Sequence, residues 1–180
     1  MTQSASIEQH IAALTAPIAQ ELDAEVLKVS CSGGQSSRLV RVIVDRRGGI
    51  SSEALERISR GLSLQLDVED PLSGRYQLEV SSPGLDWPLT TEADFARYLG
   101  DWVAVLLQNG TKLEGRNLGL GDDDAVRLER TVGKGKKATL QVQTIARSEV
   151  VRVVRTVCWA EVPHREARES IDNDLFNVAV

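Results

Sequence analysis

Apolar residues recur at three- and four-residue steps twice in the first half of the chain. Ile7, Ile11, Leu14, Ile18 and Leu22 form one stripe, and Leu55, Ile58, Leu62 and Leu66 form another, each the face of an amphipathic helix. Ser6 with Gln9 matches a capping box at the start of the first helix. Pro17 removes one backbone donor inside it and predicts a kink or break. Ser51 or Ser52 supplies the cap of the second. Between the helices, Val26 to Cys31 and Leu39 to Asp45 are alternating β-branched runs, with Cys31 expected on the core face beside Leu27 and Val29. The intervening Cys31-Ser32-Gly33-Gly34-Gln35-Ser36-Ser37 reads as a flexible hairpin loop. Tyr76 to Val80 alternates as a third strand. The order α-β-β-α-β predicts a three-stranded sheet covered on one face by two helices.

The second half changes period. Thr91 can cap a short turn of helix holding Phe95, Tyr98 and Leu99. Trp102 to Leu107 is an apolar strand, and Asn109-Gly110 is a strong hairpin signal returning it to Leu113–Leu118. A turn at Gly119 to Asp124 leads to Ala125–Glu129. A Lys/Gly loop leads to Thr139–Ile145, and Val150–Val154 is the fifth strand. Five short strands joined by tight turns suit a small β-barrel better than a sandwich. The chain thus divides into residues 1–88, residues 89–155 and a tail, 156–180. The tail is acidic and poorly periodic, so it is expected to be mobile.

Between the units stands Val80-Ser81-Ser82-Pro83-Gly84-Leu85-Asp86-Trp87-Pro88-Leu89. Pro83-Gly84 fits the centre of a type II turn, where proline presets φ and glycine accepts a positive φ. Pro88 denies a ladder donor, which suits an elbow. The segment reads either as a rigid turn that orients the units or as a partner-binding loop exposing Ser81, Ser82, Asp86 and Trp87. One loop can do both.

Composition narrows the classes. The chain has 180 residues, 42% hydrophobic and 26% charged, and a net charge of −5. That is ordinary globular content and argues against a protein that coats nucleic acid indiscriminately. Net charge is −4 over residues 1–88, +2 over 89–155 and −3 over 156–180, and the clearest cationic cluster is Lys134-Gly135-Lys136-Lys137. Those lysines are candidates for contacting RNA phosphates without sequence readout. The start, Met1 to Ser6, lacks a basic region followed by an apolar run, and no apolar stretch is long enough to span a bilayer. With Cys31 and Cys158 forming no C-x-x-C pair, a reduced cytoplasmic setting and no membrane partner are expected.

The stretch Tyr76 to Asp86, then Pro88-Leu89, Phe95 and Tyr98-Leu99-Gly100, resembles the bacterial ribosome maturation factor RimP family. Gly115 and the Gly121-Asp122-Asp123 turn sit where that family places them, and element order agrees over roughly residues 5–155. The resemblance implies an α+β two-domain protein whose C-terminal domain is a five-stranded Sm-like or SH3-like β-barrel. It implies a cytoplasmic, non-enzymatic factor assisting late maturation of the 30S subunit. The implied partners are the pre-30S particle, a basic ribosomal protein (protein twelve of the small subunit) and 16S rRNA, with the factor itself monomeric. The elbow residues Ser81, Ser82, Pro83, Gly84, Leu85 and Asp86 are the candidate partner-binding site. Trp87 departs from the family, which usually has arginine there, and the tail is longer than the family pattern.

Catalytic chemistry is hard to assemble from this sequence. His10 and His164 have no Cys or carboxylate neighbours at metal-ligand spacing, so no metal or cofactor is expected. Neither cysteine has an identifiable base. Asp122-Asp123-Asp124 reads as a solvated turn, and the glycines match neither a phosphate loop nor a dinucleotide fingerprint. Two other classes stand beside the assembly factor. One is a stand-alone Sm-like RNA-binding protein or ring, although aromatic content is only 4%, leaving few platforms for stacking bases. The other is an enzyme using Glu79 and Asp86, the carboxylates flanking the elbow.

Overall fold

The structure is a computed structural model that describes residues 2–34, 37–72, 74–133 and 139–158. The N-terminal unit runs α1 (Thr2–Gln20), β1 (Glu25–Gly34), β2 (Ser37–Asp45), α2 (Ser52–Glu69) and β3 (Tyr76–Ser81). Helix α1 begins four residues before Ser6, so Ser6 lies inside it and does not cap it. The helix also continues through Pro17 without a break. Pro17 sits on an exposed position in the last turn, where a missing N–H costs one bond and the carbonyl still accepts Glu21 N at 3.2 Å. Ser51 caps α2 by accepting the Ala54 N–H on its hydroxyl at 3.3 Å.

Strands β1 and β2 form an antiparallel hairpin, and β3 joins β2 in parallel with α2 as the crossover. A bulge between Val26 and Lys28 shifts the alternation of β1. Val26, Val29 and Cys31 therefore pack on the core while Leu27 does not, correcting the simple period-two reading. Ile11 of α1, Val40, Val42 and Val44 of β2, and Ile58, Leu62 and Leu66 of α2 form the first core. Burying each such side chain fully contributes about 1.5–3 kcal/mol.

The C-terminal unit contains α3 (Glu92–Arg97), β4 (Trp102–Leu107), β5 (Lys112–Leu120), β6 (Val126–Val132), β7 (Thr139–Ile145) and β8 (Val150–Arg155). Leu89, Phe95, Tyr98, Val103, Val105, Val126, Leu128, Ile145 and Val153 form a separate second core. The Asn109-Gly110 hairpin forms as expected: Gly110 N donates to Leu107 O and Thr111 N to Asn109 Oδ1, both at 2.9 Å. The acidic turn is a single exposed 3-10 turn, Asp122–Asp124.

The strand order is β7-β6-β5-β4-β8, antiparallel throughout. This corrects the expected closed barrel, because among the described residues no ladder joins β7 to β8. The outer edge of β8 already has a partner: Leu89 N donates to Val153 O at 2.9 Å, and Pro88 bridges Val154. Closure would need that same edge.

Candidate binding site at the elbow

The elbow is built differently from the type II turn its sequence predicts. Gly84 does not adopt a positive φ. The turn falls two residues later, with Trp87 N donating to Gly84 O at 3.1 Å and Leu85-Asp86 at its centre. Pro83 is buried, so the proline anchors the loop from beneath instead of forming its tip. What Gly84 supplies is room, since a Cβ there would lie 2.6 Å from Asp86 Oδ1. The Asp86 side chain folds back over the glycine.

Of the candidate contact residues, Ser82, Gly84, Leu85 and Asp86 are exposed together, Ser81 is half-buried at the end of β3, and Pro83 is not accessible. Trp87 is half-buried and packs against the second core, which explains how an aromatic residue is accommodated at this position. A guanidinium nevertheless reaches the loop, because Arg152 of β8 donates through Nη2 to Asp86 O at 2.9 Å. Beside it lies a 260 Å³ hollow on the outer face of β4 and β8, floored by Ala104, Leu106 and Val154 and rimmed by Asp86, Lys112 and Arg152. The elbow thus presents a short polar tip, an apolar recess and both signs of charge. That arrangement can seat a protein segment.

A second set of contacts, unforeseen in the sequence, fixes how the elbow joins the units. The Tyr98 hydroxyl donates to Asp45 Oδ2 at 2.7 Å across the junction, and both side chains are buried. Arg155 lies over the Tyr98 ring, 4.5 Å from its centroid, and Arg97 pairs with Glu25 of the N-terminal unit. Burial, then the hydrogen bond and charge of Asp45, raise the Tyr98 phenol well above its ordinary range, against the opposing pull of Arg155 and Arg97. Between the units a cleft of 420 Å³ is lined by Asp23, Glu25, Arg46, Arg47, Ala93, Ala96 and Arg97.

Helix α3 is placed by two buried polar residues. Asp94 completes the capping box with Thr91, its Oδ2 accepting the N–H groups of Thr91 and Thr90 at 2.9 and 3.1 Å. Burial works to raise its pKa, but the Thr91 and Thr90 N–H groups, the Thr91 hydroxyl and Arg97 outweigh it and hold the carboxyl below its usual range. Asn117, fully buried on β5, donates to the carbonyls of Phe95 and Tyr98, each at 2.8 Å, and accepts Gly119 N at 2.9 Å. An Asn inside an apolar alternation is the signal that could have revealed it.

The groups considered for catalysis do not converge. Glu79 is held by Arg41 Nε at 2.8 Å, and Asp86 bends onto Gly84. Cys31 has its thiol pKa raised, chiefly by burial and then by Glu8, which is the wrong direction for a nucleophile. His10 stands 3.9 Å from Glu69 on the surface. Among the described residues no group of three or more His, Cys, Asp or Glu could hold a metal ion. Lys134, Lys136 and Lys137, and the tail from residue 159, lie outside the described residues.

Residues 14–86 match the family model described as the RimP N-terminal domain. The match runs from the middle of α1 to the tip of the elbow, so it includes the whole Ser-Ser-Pro-Gly-Leu-Asp segment.

Proposed function

We propose that the chain, whose residues 14–86 match the RimP N-terminal domain, is a RimP-family ribosome maturation factor that binds the immature 30S subunit and assists its late assembly without catalysis. The observation that carries the reading is the family match ending in the elbow. In the proposal, the exposed Ser82, Gly84, Leu85 and Asp86 meet a protein of the particle, with Ser81 and buried Pro83 supporting the loop. The partner is a basic ribosomal protein, protein twelve of the small subunit by family resemblance. The net charge of −4 over residues 1–88 favours its approach through complementary potential. Lys134, Lys136 and Lys137 supply phosphate contacts to 16S rRNA. The setting is cytoplasmic; among the described residues no helix is long and apolar enough to cross a membrane. The proposed division is 1–88, 89–155 and an acidic tail 156–180, supported by the two separate cores, with the second domain Sm-like in strand order.

A stand-alone Sm-like ring is less well supported. A head-to-tail ring needs both edges of the five-stranded sheet, and Pro88 and Leu89 hold the β8 edge.

The proposal is tested by sedimenting the full chain with cell extract through a sucrose gradient. Co-migration with 30S-sized particles, and not with 70S ribosomes, is the expected result. Sedimentation as free protein even at low salt overturns it.

A further inference from the structure

Sheet edges are normally protected against pairing with another chain by charges, prolines, bulges or a covering segment. Three of the four edges here follow that rule. Along β1, Glu8 of α1 accepts the Cys31 N–H at 2.9 Å, and a bulge and Lys28 interrupt the strand. Strand β3 is short and carries Glu79. The edge of β8 is covered by Pro88 and Leu89. Among the described residues, strand β7 has none of these devices. Its sequence, Thr-Leu-Gln-Val-Gln-Thr-Ile, contains no charge and no proline, its ladder with β6 runs without a bulge, and it stands last in the sheet. Leu140 and Val142 are 68% and 55% exposed on the face opposite the core.

The same seven residues are nearly palindromic about Val142. Laid antiparallel against itself on a two-fold axis through that residue, the strand sets Val142 beside Val142, Gln141 beside Gln143, and Leu140 beside Thr144. Each pair then shares a face of the extended sheet. No like charges meet. We infer that β7 is a self-complementary docking edge, and that two copies of this chain pair through it into a single continuous sheet with isologous symmetry. The sequence led us to expect a monomer, and this edge revises that expectation. One seven-residue strand pair is a small interface, so the dimer is weak and forms with rising concentration. The inference stands independently of the ribosomal role.

The test is sedimentation equilibrium of the full chain over a concentration series, with two variants. The unaltered chain follows a monomer–dimer equilibrium. Val142→Lys and Val142→Asp, each substituted at an exposed position, keep the circular dichroism and unfolding midpoint but weaken self-association by about tenfold or more, since like charges meet on the axis. Mixing the two variants restores dimers, because position 142 faces its own copy. A monomer throughout the series overturns the inference. So does a dimer that survives Val142→Lys, or a mixture that associates no better than either variant alone.

Discussion

The Tyr98 hydroxyl donates to Asp45 Oδ2 at 2.7 Å, tying the first residue cluster after the elbow to the end of β2 through side chains that are each 2% exposed. Residues 53 positions apart thereby set the angle between two separately cored units. Tyr98→Phe keeps the ring under Arg155 but leaves the buried Asp45 carboxylate without this donor. A loss of about 1–3 kcal/mol in denaturant unfolding is expected, with the larger end favoured because the stranded group is charged. A double-mutant cycle with Asp45→Asn should return a coupling of about 0.5–3 kcal/mol; a coupling of zero would mean the bond contributes nothing.

The raised Tyr98 pKa predicts an alkaline limit. Below about pH 10 tyrosine is protonated in both folded and unfolded chains, so the contribution is fully present. Above that, the unfolded tyrosine ionises while the folded one resists, and stability falls as pH climbs toward the higher folded value. Unfolding midpoints measured from pH 8 upward should drop more steeply for the natural chain than for Tyr98→Phe.

Asp94 sets the opposite limit. Its folded pKa is lowered, so its contribution is present above the ordinary carboxylate pKa of about 4 and is lost as pH falls through the folded value. Asp94→Asn should flatten the acid side of the stability profile, and it should cost about 0.5–2 kcal/mol at neutral pH through the weakened cap.

Gly84 and Gly115 separate binding from stability. At Gly84 an added methyl meets only the movable end of Asp86 and no strained backbone angle. Gly84→Ala should therefore change stability within about 0.5 kcal/mol while displacing Asp86 and weakening binding to 30S-sized particles. At Gly115 the methyl would lie 2.6 Å from the Glu129 backbone oxygen, where β5 and β6 cross closely. Gly115→Ala should destabilise the second unit by about 1–3 kcal/mol. Equal effects of the two substitutions on unfolding would contradict this geometry.

Charge reversal of Lys134, Lys136 and Lys137 together should weaken particle binding and reduce the slope of its salt dependence, by about 0.7–0.9 for each phosphate that a lysine no longer neutralises. Identical affinity curves across a salt titration would remove these lysines from the interface.

Local chemistry made most of this molecule legible from sequence. The Ile58/Leu62/Leu66 period, the Thr91 cap and the Asn109-Gly110 hairpin each depend on residues a few positions apart, and each appears where expected. Failures came where a neighbour in space, not in sequence, decides. Pro83-Gly84 satisfies the composition of a type II turn, yet burial of Pro83 moves the turn to Leu85-Asp86. The bulge near Leu27 reverses an alternation that looked regular. Asp45 reads as the polar end of a strand and Tyr98 as an apolar helix residue, and nothing in either segment announces the bond between them. The elbow residues were recognisable as a group, but which of them face solvent depended on packing against β8 and the second core.

The seating of Pro88 and Leu89 on β8 also fixes an order of events during synthesis. A chain emerging amino-terminus first completes the elbow long before Val150–Arg155 exists. Until then both the β4 edge and the Pro88–Leu89 segment wait unpaired, and the last strand must enter between them. Formation of the second core is therefore gated by the most distant contacts in the unit, and it should be its slow step. A nascent chain stalled before residue 150 would carry a finished first unit and an unsealed second one.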